Sequence, residues 1–172
     1  MKLEKNLLTL PEAILFDWDS TLVSSFQIIK KSINKALAHF GEPAWSDIEI
    51  RKHTQLSAKD GLPLWFGDRW PKALEIFTEC YQQNSELLDA LPGALSLLQS
   101  NKHLNIPMAV ISNKRGEILR REITRLGWES FFHVAIGSGD LQEDKPSPMP
   151  VYHVLKKMKL FASTNIWFVG DA

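Results

Sequence analysis

The chain has 172 residues, 44% of them hydrophobic, and its 20 basic side chains match its 20 acidic ones. That length holds one domain with room for an insertion, at about 150 residues per domain. A net charge of zero argues against a nucleic-acid-binding role, which shows as a basic excess, and is compatible with a small anionic substrate met by a local positive charge.

Residues 1–10 mix charges with short apolar runs and lack the continuous apolar segment of a signal peptide. No stretch approaches the ~18 apolar residues of a membrane span. The single cysteine, Cys80, allows no intrachain disulfide and fits a reducing compartment. The expected location is the cytoplasm.

Ala13, Ile14, Leu15 and Phe16 run straight into Asp17 and Asp19. A segment apolar at every position reads as a strand buried on both faces, as in a parallel sheet. An unpaired carboxylate is costly there. Asp17 and Asp19 therefore belong at the strand's carboxyl end, in the crevice where open α/β sheets bind ligands. Two carboxylates this close repel each other, and a divalent cation resolves that; hard oxygen ligands suit Mg2+.

Phe26, Ile29, Ile33, Leu37 and Phe40 then recur at helical spacing, with Ser24 or Ser25 at the start and Gly41 at the end. Residues 42–91 read as further helix with no strand. Pro43 to Ser46 is a break in which Ser46 caps the next helix. Residues 54–64, containing Gly61 and Pro63, read as a loop. A long helix is expected over 70–91, with Pro71 in its first turn. After Pro92 and Gly93 come a helix ending near Asn101, a strand over 106–111 closed by Ser112, Asn113 and Lys114, and a helix over 115–126 stopped by Gly127. A strand over 131–136, a loop, a helix from Met149 or Pro150 to Leu160, and a strand over 166–169 closed by Gly170 and Asp171 complete the order. Strands alternating with helices imply a parallel, doubly wound α/β sheet with right-handed crossovers. Its strand ends bring Asp17, Asp19, Ser112, Asn113 and Asp171 to one edge.

The five histidines have no metal-ligand spacing and read as surface or packing residues. Cys80 reads as a small buried apolar residue. Trp45, Trp65, Trp70, Trp128 and Trp167 read as packing residues, and Trp18, between the two carboxylates, as a lining residue of the site. Lys114 reads as solvated.

Four segments in order carry a resemblance to a known family. An apolar strand followed by Asp17-x-Asp19-x-Thr21, then Val110-Ile111-Ser112-Asn113-Lys114, then Asp144-Lys145-Pro146-Ser147-Pro148, then Trp167-Phe168-Val169-Gly170-Asp171, resemble motifs I to IV of the haloacid dehalogenase-like superfamily. The Lys-Pro pair is similar to that of its phosphoglycolate-phosphatase-like branch. Ser20 stands where the family usually has Gly, which implies a less relaxed turn. The resemblance implies a Rossmann-like core over 1–23 and 92–172 with an inserted helical cap over 24–91.

It also implies the chemistry. Asp17 would be the nucleophile that forms an aspartyl-phosphate, and Asp19 the acid and base. Mg2+ would be held by Asp17, the backbone carbonyl of Asp19, and Asp171. Ser112 and the Asn113 backbone would hold phosphate oxygens, and Lys145 would offset negative charge. The expected function is Mg2+-dependent hydrolysis of a small phosphorylated metabolite by a monomer or homodimer, with no nucleic-acid or membrane partner. The alternatives are a sugar phosphomutase, a phosphonatase with a Schiff-base lysine in the cap, and a non-catalytic scaffold. The family's fourth motif continues to a further acidic residue, whereas this chain stops at Ala172. The expectation is therefore that the C-terminal part of the core is missing, its sheet edge exposed and Mg2+ binding weakened.

Overall fold

The computed structural model describes residues 10–54 and 56–171, so the reading of residues 1–9 lies outside it. The strands are β1 (Ala13–Phe16), β2 (Val23–Ser24), β3 (Asp89–Ala90), β4 (Met108–Arg115), β5 (Val134–Ser138) and β6 (Ile166–Val169). The helices are α1 (Phe26–His39), α2 (Asp47–His53), α3 (Ala58–Phe66), α4 (Trp70–Gln83), α5 (Ala94–His103), α6 (Gly116–Arg125) and α7 (Met149–Met158).

β1 is buried at all four positions because it has a parallel neighbour on each side. Ile14 lies opposite Met108 of β4 and Trp167 of β6. β5 extends the sheet beyond β4, giving the order β5-β4-β1-β6. Successive side chains of a strand point to opposite faces. Ile14, Phe16, Met108 and Val110 accordingly pack with Ala94 and Leu98 of α5 and Leu119 and Ile123 of α6. Leu15, Ala109 and Ile111 pack with Val154 and Leu155 of α7 on the other face. The result is the expected doubly wound α/β core. Among the described residues β6 is paired on one side only, and Trp167 and Phe168 on it are exposed.

Helices α1 to α4 form a unit with its own apolar cluster, including Ile33, Leu37, Ile50, Leu62, Phe66 and Ile76. The chain enters it through β2 and leaves through β3, which pair antiparallel, Val23 opposite Ala90. This ribbon overturns the strand-free reading of 42–91. A second correction is α3, which occupies most of the expected loop over 54–64. Ser57 caps it by accepting from the Asp60 N–H. A Cβ added at Gly61 would come within 2.4 Å of the Trp65 ring, so glycine is what lets that ring fold back over the helix. The helix expected over 70–91 stops at Gln83, where the Asn84 side chain donates to the Cys80 carbonyl at 2.7 Å. Ser46 does cap α2, in a reciprocal arrangement with Glu49. β4 continues past Ile111 to Arg115, and a 3-10 turn at Glu129–Phe131 delays β5 to Val134. No helix among the described residues is long and apolar enough to cross a membrane.

Candidate active site

The ends of β1 and β6 are tied together where the Asp17 N–H donates to the Val169 carbonyl at 2.8 Å. That places Gly170 and Asp171 beside Asp17; a Cβ added at Gly170 would lie 3.5 Å from the Asp17 Cβ. The end of β4 supplies Ser112, Asn113 and Lys114. The loop between β5 and α7 is drawn in where the Asn113 Nδ2 donates to the Lys145 carbonyl at 2.9 Å. Lys145 then sets its Nζ 2.7 Å from Asp17 Oδ1. One cavity of about 790 Å³ is lined by Asp17, Asp19, Ser112, Asn113, Lys145 and Asp171 together. All six candidate residues are thus brought to one place. The helical unit covers the cavity from the other side, with Phe26, Ile29, Arg51, Leu74 and Phe77 among its lining residues.

Asp17 also accepts the Trp18 N–H on Oδ1, at 2.7 Å. Both of these contacts fall on Oδ1. Burial pushes the Asp17 carboxyl above its ordinary value, against the opposing pull of Lys145 and the Trp18 N–H. The turn that follows puts Ser20 at φ 61°, the left-handed conformation anticipated from the Gly-to-Ser departure.

Asp19 has a partner that sequence reasoning missed. Its Oδ1 accepts from the Lys114 Nζ at 2.6 Å. Lys114 is not solvated: its side chain is 6% exposed and it also donates to Glu122 Oε2 at 2.7 Å and to the Tyr81 hydroxyl at 2.8 Å. Tyr81 donates in turn to Glu122 Oε1 at 2.8 Å. Burial and the charges of Asp19 and Glu122 push the Tyr81 hydroxyl far up, so it stays protonated. Trp18 does not line the cavity. It is fully buried, donates its indole N–H to Glu122 Oε2 at 2.7 Å, and packs edge-on against Trp128 and Phe132. The sequence held one signal for Glu122. It shares the helix face of Leu119 and Ile123, and a carboxylate on an apolar stripe needs a buried partner.

Ser112 is buried and accepts the Lys114 N–H at 3.1 Å. It does not cap α6, whose N-cap position is Arg115. Cys80 is buried as expected. His53 stacks on Trp45 inside the helical unit, a packing role. Trp70 and Trp167 depart from the packing reading, being 37% and 49% exposed.

Among the described residues no three His, Cys, Asp or Glu side chains make a ready-made metal cage. The donors are hard oxygens nonetheless: the Asp17 carboxylate on the cavity wall, an exposed Asp171 with no ion pair among the described residues, and the backbone carbonyls of the same turn. Mg2+ keeps several waters and is held by one or two carboxylates plus substrate phosphate, so this donor set fits it.

The model of the haloacid dehalogenase-like hydrolase family matches residues 14–172. A phosphoglycolate phosphatase of Yersinia pestis is 31% identical over 92% of this chain and 72% of its own length. Phosphoglycolate phosphatase 1 of Pseudomonas aeruginosa is 27% identical over 95% of this chain and 63% of its own. The solved structure of a predicted phosphoglycolate phosphatase from Haemophilus somnus 129pt superposes with a TM-score of 0.83 at 26% identity, over 95% of this chain and 78% of that one. The chain belongs to the haloacid dehalogenase-like hydrolases, as an enzyme related over almost its whole length to phosphoglycolate phosphatases.

Proposed function

We propose that the protein hydrolyses a small phosphate monoester with Mg2+, through a phosphorylated Asp17. The observation that carries this reading is the Asp17 carboxylate, which lines the cavity with its Oδ1 held by Lys145 and the Trp18 N–H. A phosphate ester repels an anionic nucleophile, so the site must neutralise charge and align the attack. Asp17 Oδ2 attacks phosphorus, and the ester oxygen leaves with a proton from Asp19. Asp19 then takes a proton from water, which attacks the acyl phosphate, releases inorganic phosphate and restores Asp17.

Ser112 and the Asn113 backbone N–H hold the phosphoryl oxygens, and Lys145 offsets charge on them and on Asp17. Asp17, Asp171 and the Asp19 backbone carbonyl are the residues that would hold Mg2+, which when bound supplies further positive charge at the phosphoryl oxygens. In this reading 1–23 and 92–172 are the catalytic core and 24–91 the cap. The phosphoglycolate phosphatases among the relatives support a small phosphorylated metabolite as substrate.

The test is p-nitrophenyl phosphate hydrolysis with and without Mg2+, for the protein and for Asp17→Asn. Turnover should need Mg2+ and fall at least about 10³-fold in the variant, about 4 kcal/mol of barrier. Undiminished turnover in Asp17→Asn would remove Asp17 from the mechanism.

A further inference from the structure

We propose that Lys114 is a positioning residue that orients Asp19, and that its own anchors are Glu122 of α6 and Tyr81 of the helical unit. This rests on the phosphatase reading above. An ammonium has three donors, and those of Lys114 have three acceptors: Asp19 Oδ1 at 2.6 Å, Glu122 Oε2 at 2.7 Å and the Tyr81 hydroxyl at 2.8 Å. With its side chain 6% exposed, Lys114 borders the cavity but has no donor left for a substrate phosphate. Its reach is spent on Asp19.

The effect on Asp19 is directional. A carboxylate on a short side chain that is held by one oxygen has its other oxygen aimed, and Lys114 holds Oδ1. Glu122, 4% exposed, supplies the buried counter-charge that lets the ammonium stay there. The same carboxylate takes the indole N–H of Trp18, the residue between Asp17 and Asp19. The network therefore grips the Asp17–Asp19 segment twice, once through the Asp19 side chain and once through Trp18. Tyr81 lies in the last turn of α4, so one anchor of the proton-transfer residue comes from outside the core sheet and its helices.

A good leaving group departs without a proton, whereas an alkoxide does not, so two substrates separate positioning of Asp19 from general damage. The experiment compares kcat/KM for 2-phosphoglycolate, an alkyl ester, and for p-nitrophenyl phosphate, in the wild type, Lys114→Met and Tyr81→Phe, with inorganic phosphate as a competitive inhibitor. Lys114→Met should lose about 10²-fold on the alkyl ester, the scale of a 1 Å misplacement, and less than about 10-fold on the aryl ester. The inhibition constant of phosphate should not move. Tyr81→Phe preserves the packing and should shift in the same direction by about 3- to 10-fold, which keeps the test open if Lys114→Met does not fold.

Equal losses on both esters, or weaker phosphate inhibition at unchanged kcat, would overturn the proposal. The first means general disruption and the second a direct phosphate contact. If the wild type hydrolyses neither ester, the phosphatase reading fails. Crystal structures of the wild type and Tyr81→Phe then decide the positioning claim: a displaced Lys114 and a rotated Asp19 carboxylate in the variant support it, and an unmoved Asp19 overturns it.

Discussion

Glu122→Leu should be one of the most damaging single substitutions available on α6, and adding Lys114→Met should repair part of the damage. Glu122 is 4% exposed and accepts from Lys114, Trp18 and Tyr81. Removing one partner of a buried ion pair costs about 3–5 kcal/mol. Lys114 keeps Asp19 and the Tyr81 oxygen, which puts its share at about 3 kcal/mol. The indole N–H and the tyrosine hydroxyl each lose an acceptor, at about 1 kcal/mol or more apiece. The apolar leucine recovers about 1–2 kcal/mol by burial. The net expectation is a loss of about 4 kcal/mol. In the double variant no buried ammonium is left uncompensated, and two apolar side chains of similar size fill the space. The expected loss then falls to about 2 kcal/mol, so the double variant should be more stable than Glu122→Leu alone. Urea unfolding followed by far-ultraviolet circular dichroism measures both. A double variant that is less stable than the single, by the full cost of Lys114→Met, would refute the claim that the two charges balance each other.

Three smaller perturbations have equally definite signs. Partial burial pushes the Asp140 carboxyl up, but the Arg120 guanidinium, at 2.7 and 3.0 Å, and the Gly137 N–H bring it below its ordinary value. Its stabilising contribution is therefore full above the unfolded value of about 4 and lost as pH falls through the lower folded value. Asp140→Asn should cost about 1 kcal/mol at pH 7 and flatten the acid limb of stability below pH ~4; an unchanged acid limb would contradict the pairing. A Cβ at position 116 would lie 2.3 Å from both Asp140 carboxylate oxygens, so Gly116→Ala should displace that carboxylate and cost about 2 kcal/mol, lowering the melting temperature by about 4–8 °C. Ser20 pays for its left-handed φ of 61°, so Ser20→Gly should raise stability by about 0.5–1 kcal/mol, and a lower melting temperature would show that the serine side chain compensates for the strain.

The parallel core was legible because its signals are local. The apolar run from Ala13 to Phe16 is buried at every position, and one strand of that kind already implies neighbours on both sides. Strand ends carry their polar residues to one edge, so Asp17, Ser112 and Asp171 could be grouped before any contact was seen. What escaped was of two kinds. The helix α3 was hidden by Gly61 and Pro63, which punctuate a sequence but here sit within a helix capped by Ser57 and covered by Trp65. The two-residue strands β2 and β3 are too short for any periodicity, and they exist because two chain segments return side by side. The partners of Asp19 were invisible for another reason: Lys114 is 95 residues away from it and Tyr81 lies in a different structural unit. Such contacts follow from packing, which no local pattern encodes. Glu122 escaped as well, although the sequence held a signal for it: a charge on an apolar helix face announces a buried partner without naming it.

The two lysines of the site show why the distinction matters for chemistry. Lys145 borders Asp17 with its side chain 23% exposed, so its charge is available to a ligand as well as to the carboxylate. Lys114 is enclosed, and its ammonium is met by Glu122 and Asp19. Around the cavity, the carboxylates of Asp17, Asp19 and Asp171 stand against the cationic side chains of Arg51, Lys114, Arg115 and Lys145. A phosphate monoester is itself an anion, and of these cations Lys114 is committed to Asp19 and Glu122, whereas Lys145 keeps part of its surface open beside Asp17. The charge of Lys145 thus meets the cavity directly, whereas Lys114, enclosed and matched by Glu122, bears on the proposed reaction through the geometry of Asp19.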